Sequence, residues 1–406
     1  MNCRTCDSAH LTPFLDLGHH PPSNAFLTSE GLKQPETYYP LDVLVCEDCG
    51  LSQLSYVVPA RILFGPDYPY DSSTSRTIRD HFNAMATHLT EYLGPAEESL
   101  AVDIGSNTGV LLGGLKAQGL RVLGVEPADN MATKANNLGI ETINAFFSRQ
   151  LAADVVSSHG QASVVTATNV FAHIDDLVDV VDGVRLLLEP QGAFVVEAQY
   201  FLDMVSATEY DQIYHEHLSY MTVSPLVRFF ERRGLEVFDV EHVSNHGGSI
   251  RVFVGLPGRH PISNAVGASC QQEQDAGVLR SEGLRRFALK VEQSRDALVE
   301  RLVTLKAQGK RTVGIGAPAK GNTLLNYCKI SSHLLDELTE KAPDKIGLFS
   351  PGMHIPVVAE SRLTEAPPDY GVILAWNLKD EIMANIAESQ NFRGPYIIPI
   401  PEPIVV

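Results

Sequence analysis

Four of the six cysteines fall into two identical spacings, Cys3-x-x-Cys6 and Cys46-x-x-Cys49, while Cys270 and Cys328 are isolated. A C-x-x-C turn sets both sulfurs on one side of a tight knuckle, and two knuckles can close a tetrahedral zinc site with bonds of about 2.3 Å. Four thiolates leave no open position for water. Cys3, Cys6, Cys46 and Cys49 are therefore expected to hold a structural Zn2+, which would supply much of the folding energy of so small a block. The competing readings are two unrelated turns with buried thiols, or a redox pair. Redox chemistry fits poorly because Cys3 lies outside any strand–helix unit.

A second concentration of reactive types is Tyr210-Asp211-Gln212-Ile213-Tyr214-His215-Glu216-His217-Leu218-Ser219-Tyr220. Tyrosines, histidines and acids this dense suit proton transfer, since imidazole titrates near working pH. A His-x-His pair can also bind metal, but no third ligand stands nearby and the H-E-x-x-H spacing of a zinc protease is absent. Read alone, the segment is equally compatible with a solvated loop.

A third feature is a cofactor loop. Leu100 to Ile104 is an apolar strand entering Gly105-Ser106-Asn107-Thr108-Gly109 and then a helix, Val110 to Gln118. Glycines there let the backbone turn sharply and approach a ligand. Some twenty residues on, Val122 to Val125 is a second strand ending in Glu126, placed to take ribose hydroxyls. The spacing fits NAD or S-adenosylmethionine. The loop reads Asp-x-Gly-x-x-x-Gly from Asp103 and resembles class I methyltransferases more than a Gly-x-Gly-x-x-Gly dinucleotide site. Two further strands, Ser163 to Thr168 and Gly192 to Val196, fit the same sheet, and ligands sit beyond the carboxyl ends of such strands. Asn169, His173 and Glu197 would lie there, although His173 alone also reads as a structural histidine. Near the other end of the chain, Thr312 to Ile315 leads into Gly316-Ala317-Pro318-Ala319-Lys320-Gly321-Asn322-Thr323 and an apolar helix. A turn at a helix N-terminus with a lysine suits a diphosphate, although an ordinary strand–turn–helix with a solvated lysine reads the same way. It is not a Walker A loop. Pro351 to His354 and Trp376-Asn377 follow strand-like segments and either line the same cleft or, for Trp376, join the core.

These groups require three blocks to hold them. Residues 1–60 are short and Pro-rich, 61–258 alternate strand and helix, and 259–406 follow the turn-rich break Leu256 to Pro261. The third block opens with one long helical stretch, Asn264 to Gln308, whose Leu284, Phe287, Val291, Leu298, Leu302 and Leu305 recur at helical spacing. The expected class is α/β: a small N-terminal zinc domain, a central Rossmann-like domain and a C-terminal Rossmann-like α/β domain. A chain of 406 residues with 44% hydrophobic content can build these cores. No apolar run approaches the ~20 residues of a membrane span, and Met1 to His10 lacks the pattern of a signal peptide, so a cytoplasmic location is expected. The net charge of −18 argues against nucleic acid as partner.

Taken in order, the four cysteines, the loop 103–109, Thr168-Asn169-Val170-Phe171-Ala172-His173-Ile174, Tyr214 to Tyr220, His246-Gly247-Gly248-Ser249-Ile250-Arg251 and Gly316 to Thr323 resemble one family. It is the zinc-containing, S-adenosylmethionine-dependent sugar C-methyltransferases of deoxysugar biosynthesis, and the likeness covers nearly the whole chain. The resemblance implies a zinc domain, a central cofactor domain holding S-adenosylmethionine through Asp103, Gly105, Asn107, Gly109, Glu126 and Asn169, and a C-terminal domain binding a nucleotide-sugar. The active site would lie between the last two. Substrate contacts fall on Lys320, Gly321, Asn322, Thr323 and Arg251, and the substrate is expected to be a dTDP-linked keto-sugar. The family's catalytic residues correspond to Tyr68, His173, Tyr214, Glu216 and His217, with Tyr68 inside Tyr68-Pro69-Tyr70-Asp71-Ser72-Ser73. One departure is Glu340-Lys341-Ala342-Pro343-Asp344-Lys345, which keeps the proline and second lysine but lacks the aspartate and the Asn or Ser expected before that proline.

The chemistry implied is deprotonation of a carbon beside a ketone, followed by attack of the enolate on a sulfonium methyl. His217 is the expected base, with His215 its competitor. Glu216 would orient a histidine, and Tyr214, Tyr68 or His173 would hydrogen-bond the enolate oxygen. The rival readings are an O- or N-methyltransferase and a non-catalytic nucleotide-sugar-binding protein. A monomer or weak dimer is expected.

Overall fold

The computed structural model describes residues 1–64, 71–74, 76–244, 247–390 and 392–406. Among them the strands form three sheets, one in each block.

The central sheet runs Glu236–Val243, Ser249–Gly255, Leu188–Gln199, Ala162–Thr168, Leu100–Ile104, Arg121–Val125, Thr142–Ile143. Its last five strands are parallel, and Ser249–Gly255 joins antiparallel between the first and third. Leu100–Ile104 is buried throughout. Strands covered on both faces are largely apolar on both, which is why this one does not alternate and holds a single polar residue, Asp103, near its carboxyl end. The covering helices start where side chains satisfy their exposed N–H groups. Ser148 accepts from Leu151 before Arg149–His159, and Asp176 accepts from Asp179 before Leu177–Leu187. Helix Val223–Arg232 has no cap of its own. The fully buried Glu273 serves it, accepting from the Val223 and Ser224 N–H groups, the Ser224 hydroxyl and the Tyr200 hydroxyl. A helix N-terminus and four donors make a buried carboxylate tolerable there.

The stretch expected as one helix is two, Asn264–Ala276 and Ser281–Ala307. The break is at Gly277, whose φ of +73° is a left-handed C-terminal stop that glycine adopts without strain. The second helix buries Leu284, Phe287, Val291, Leu298, Leu302 and Leu305. They share one apolar core with Leu15, Leu41 and Val43 of the N-terminal block and with Leu324, Ile355 and Val372 of the C-terminal block. The ends of the chain are thus packed on each other.

The C-terminal sheet runs Val357–Ala359, Leu338–Glu340, Thr312–Ile315, Tyr370–Ile373, Tyr396–Ile398, Ile404–Val405, all parallel but the last. The N-terminal sheet pairs Leu11–His20, Tyr39–Cys46 and Ser52–Leu54 antiparallel, then takes a fourth strand, Ser219–Tyr220, from the middle of the chain. No described helix is long and apolar enough to cross a membrane.

Candidate active site

The turn carbonyls of Cys3 and Cys46 accept from Asp7 and Gly50, which folds each C-x-x-C into a knuckle. The knuckles face each other. Cys3 Sγ lies 3.5 Å from Cys49 Sγ and Cys6 Sγ lies 3.6 Å from Cys46 Sγ, with all four sulfurs within 4.8 Å of one another. A tetrahedron of zinc–thiolate bonds puts its sulfurs about 3.8 Å apart, so the donor set and its dimensions fit zinc. It is the one such group among the described residues.

A cavity of about 770 Å³ lies beyond the carboxyl ends of the central strands and reaches both neighbouring blocks. On the cofactor side Gly105 turns with φ +69°, and an added Cβ would sit 2.4 Å from Val170. No side chain fits there. Gly109 begins the helix Val110–Ala117 with φ +76°; it shapes the turn but does not line the cavity. Glu126 is held by two backbone donors, Asn107 N–H on Oε2 and Ala128 N–H on Oε1, both at 2.8 Å. Each oxygen keeps a second lone pair, so a pre-aimed carboxylate stands ready for a pair of hydroxyls. Asn169 lines the wall with φ +56°, its N–H donating to the Glu197 carbonyl. These features fit S-adenosylmethionine. Glu126→Ala is expected to weaken its binding by roughly one to two orders of magnitude, through loss of charge-assisted hydrogen bonds; calorimetry giving wild-type affinity would refute this.

Asp103 is buried and accepts from the Thr166 hydroxyl at 2.6 Å. Burial, with the charge of Glu126 adding to it, pushes its carboxyl up to about 7 from 3.8. The folded state then holds a proton that the unfolded chain has released, so this group costs stability as pH rises from 3.8 towards 7. In the ligand-free protein, Asp103→Asn should raise the melting temperature relative to wild type more at pH 8 than at pH 5. A difference independent of pH would contradict the raised value.

The dense segment delivers Tyr214, Glu216 and His217 to the same cavity, and His173 joins them. The His217 ring lies 4.0 Å from Tyr214 and 5.1 Å from His173, nearly parallel to the latter. His173 stacks in turn on Phe64 at 5.8 Å. Burial, with His217 beside it, holds His173 well below the usual imidazole range, so it stays neutral. His217 Nδ1 lies 2.7 Å from the Gln212 carbonyl. A carbonyl only accepts, so Nδ1 carries the proton and the neutral ring has its lone pair on Nε2. His215 points elsewhere: its Nε2 meets the Pro40 carbonyl at 3.2 Å, its ring packs against Tyr39, and it does not line the cavity. Tyr68 lies outside the described residues.

Of the expected substrate contacts, Lys320 lines the cavity. Its ammonium donates to Asn377 and sits 4.8 Å over the Trp376 ring, whose Nε1 donates to Asp211 at 2.7 Å. Burial pulls Lys320 down, opposed by Asp211 and Glu209. Gly321, Asn322 and Thr323 are absent from the lining. A helix turns successive side chains away from one another. Thr323 goes into the core, Gly321 abuts Leu374, and Asn322 bonds the Ser23 carbonyl. Arg251 is also elsewhere. It stands opposite Glu197 in the antiparallel pair, and its guanidinium is engaged by Glu197 and Glu241. Glu197 is fully buried between Arg251 and His81. Two lining residues were not among those expected, Asn24 and Ser72, whose N–H and hydroxyl both bond Asn107 Oδ1. Lys345, the second lysine kept in the departing stretch 340–345, also lines the cavity, its ammonium donating to the Ala317 carbonyl.

Family models match along the chain: "Putative zinc binding domain" over residues 3–64, "Methyltransferase domain" over 77–240 and "C-methyltransferase C-terminal domain" over 244–401. Among solved structures, the chain is similar to an S-adenosylmethionine-dependent methyltransferase of Clostridium acetobutylicum ATCC 824 (14% identity, 44% of this chain, 92% of that one, TM-score 0.36). It is also similar to the magnesium protoporphyrin IX methyltransferase of Synechocystis PCC 6803 with bound SAH (12% identity, 48% and 92%, TM-score 0.36). Its likeness to the C-methyltransferase NovU of Streptomyces niveus is far greater, 36% identity over 405 residues, covering 100% of this chain and 96% of that protein. With that match end to end and a family model on each block, the chain belongs to the C-methyltransferases that use S-adenosylmethionine and carry a zinc-binding N-terminal domain.

Proposed function

We propose that this enzyme methylates a carbon alpha to the ketone of a nucleotide-linked keto-deoxysugar, dTDP-linked, by way of an enolate. The observation that carries the reading is the His217 imidazole, at the cavity with Nδ1–H tied to the Gln212 carbonyl and its lone pair on Nε2. A carbon acceptor has no lone pair and must lose its α-proton before it can attack, so it depends on such a base, whereas an oxygen or nitrogen acceptor attacks through a lone pair it already has and sheds its proton as the bond forms. The α-proton passes to His217 Nε2, and the C–H electron pair becomes the enolate π bond. Tyr214, Tyr68 or the neutral His173 donates to the enolate oxygen, where fixed donors stabilise developing charge most. Glu216 positions the sugar and the histidine beside it. When bound, S-adenosylmethionine supplies an electrophilic methyl group. Lys320 and the N-terminus of helix Ala319–Tyr327 suit the diphosphate, which supports a reading with nucleotide-sugar binding on the block 259–406 and the reaction between it and the block 61–258.

The test is mass spectrometry after incubation with S-adenosylmethionine and a panel of nucleotide 4-keto-6-deoxysugars. One methyl should be gained on carbon, and solvent deuterium should enter the same carbon when the cofactor is omitted. Methylation on oxygen or nitrogen, without deuterium exchange, would replace this reading.

A further inference from the structure

Between its first two strands, Leu11–His20 and Tyr39–Cys46, the N-terminal block sends out an excursion that lies on the C-terminal block. It is fastened at successive points. The Asn322 amide donates to the Ser23 carbonyl at 2.7 Å. The Lys345 ammonium sits 5.1 Å over the Phe26 ring. Leu27 and Phe349 exchange both backbone hydrogen bonds, at 2.9 and 2.8 Å. The Glu36 carboxylate accepts from Gly352 N–H and pairs with His354, both at 2.9 Å. The residue next to the first fastening is Asn24, whose amide donates to Glu216 Oε1 at 2.7 Å inside the cavity. Glu216 thus meets a residue from the N-terminal block, while Lys345 of the C-terminal block lies close enough to feel its charge.

We propose that Asn24 is a positioning residue for Glu216, and that the excursion is a strap through which the C-terminal block fixes the catalytic carboxylate. An amide donor selects the ionised carboxylate and fixes the direction of its remaining lone pairs. Asn322, on the helix that begins at Ala319, holds the strap by the peptide carbonyl just before Asn24. It therefore acts on Glu216 at one remove and does not touch phosphate. The consequence for turnover rests on the keto-sugar reading above.

The test uses the full-length zinc-loaded protein. Asn24→Ala should lower kcat roughly ten- to a hundredfold, the cost of a misplaced catalytic group, with KM, S-adenosylmethionine affinity and zinc content unchanged. Asn24→Asp keeps the shape but sets a second carboxylate against Glu216. Two such groups resist ionising together, so the acidic limb of the pH–rate profile should move up by about one unit or more. Asn322→Ala should copy the kcat loss without changing affinity for thymidine diphosphate; a fall in that affinity would return Asn322 to the phosphate and overturn the strap. Wild-type kcat in Asn24→Ala, with an unshifted profile in Asn24→Asp, would overturn the role of Asn24. If the wild-type protein turns over none of the sugar panel, the keto-sugar reading fails by itself. The inference then stands or falls on a urea-unfolding cycle of Asn24→Ala and Glu216→Gln. Coupling of about tenfold in the unfolding constant upholds it, and simple additivity overturns it.

Discussion

His217→Asn should lower turnover by ~10²- to 10⁴-fold, the usual cost of losing a general base, while S-adenosylmethionine affinity stays near wild type. Glu126 is held by its own backbone donors and Gly105 by its turn, so loss of the imidazole removes a proton acceptor and leaves both in place. Solvent deuterium should no longer exchange into the substrate α-carbon. That second readout separates loss of the base from loss of methyl transfer. His215→Asn is the internal control. Its ring is buried against Tyr39 and the Pro40 carbonyl, and burial holds it below the usual imidazole range. It should cost stability and leave exchange intact. Exchange surviving in His217→Asn but lost in His215→Asn or Tyr214→Phe would transfer the base to the residue that fails.

Cys46→Ser should remove zinc from the protein and, with it, most of the soluble yield. Purified wild type should carry about one tightly held zinc per chain, since four thiolates form a closed site, and metal analysis finding none would refute the assignment. Zinc in such sites contributes on the order of 10 kcal/mol to folding, more than the whole stability of many domains. The effect should reach catalysis as well. Arg4, between Cys3 and Cys6, is buried and donates to the carbonyls of Leu54 and Leu218, the latter directly after His217. Whatever Cys46→Ser protein folds should bind S-adenosylmethionine and turn over poorly.

Local signals in the chain foretold the parts of this site that local physics builds. The knuckles are set by their own turns, and the cofactor loop by the strand before it, its glycines and the acid of the next strand. Long-range pairing left no such trace. Ser219–Tyr220 is a two-residue strand, too short for any alternation, and its partner Ser52–Leu54 lies far back in the chain. Arg251 was expected at the substrate only because its motif resembles the family's; its pairing with Glu197 depends on antiparallel register, which no spacing reveals. Asn322 sat beside a plausible phosphate turn, and only the helical rotation after Lys320 shows that it faces Ser23 instead. Asn24 belongs to an ordinary turn-rich stretch until the fold brings Glu216 to it. The break in the long helical stretch was missed for a different reason: Gly277 was visible, but the apolar rhythm from Leu284 to Leu305 suggested a single helix and masked the stop it makes.

The fourth strand of the N-terminal sheet also bears on how such proteins can be recombined. Exchanging residues 1–60 between two relatives looks like the transfer of a self-contained unit, but the donor sheet arrives with Ser52–Leu54 seeking a partner that the recipient must supply at Ser219–Tyr220. Those two residues directly follow the segment that carries Tyr214, Glu216 and His217. A graft with mismatched register would leave an open sheet edge, which invites pairing between chains, and would drag with it the segment that lines the cavity. Chimeras should therefore remain soluble and active only when 210–220 travels together with 1–60, so that the inherited unit is discontinuous along the chain.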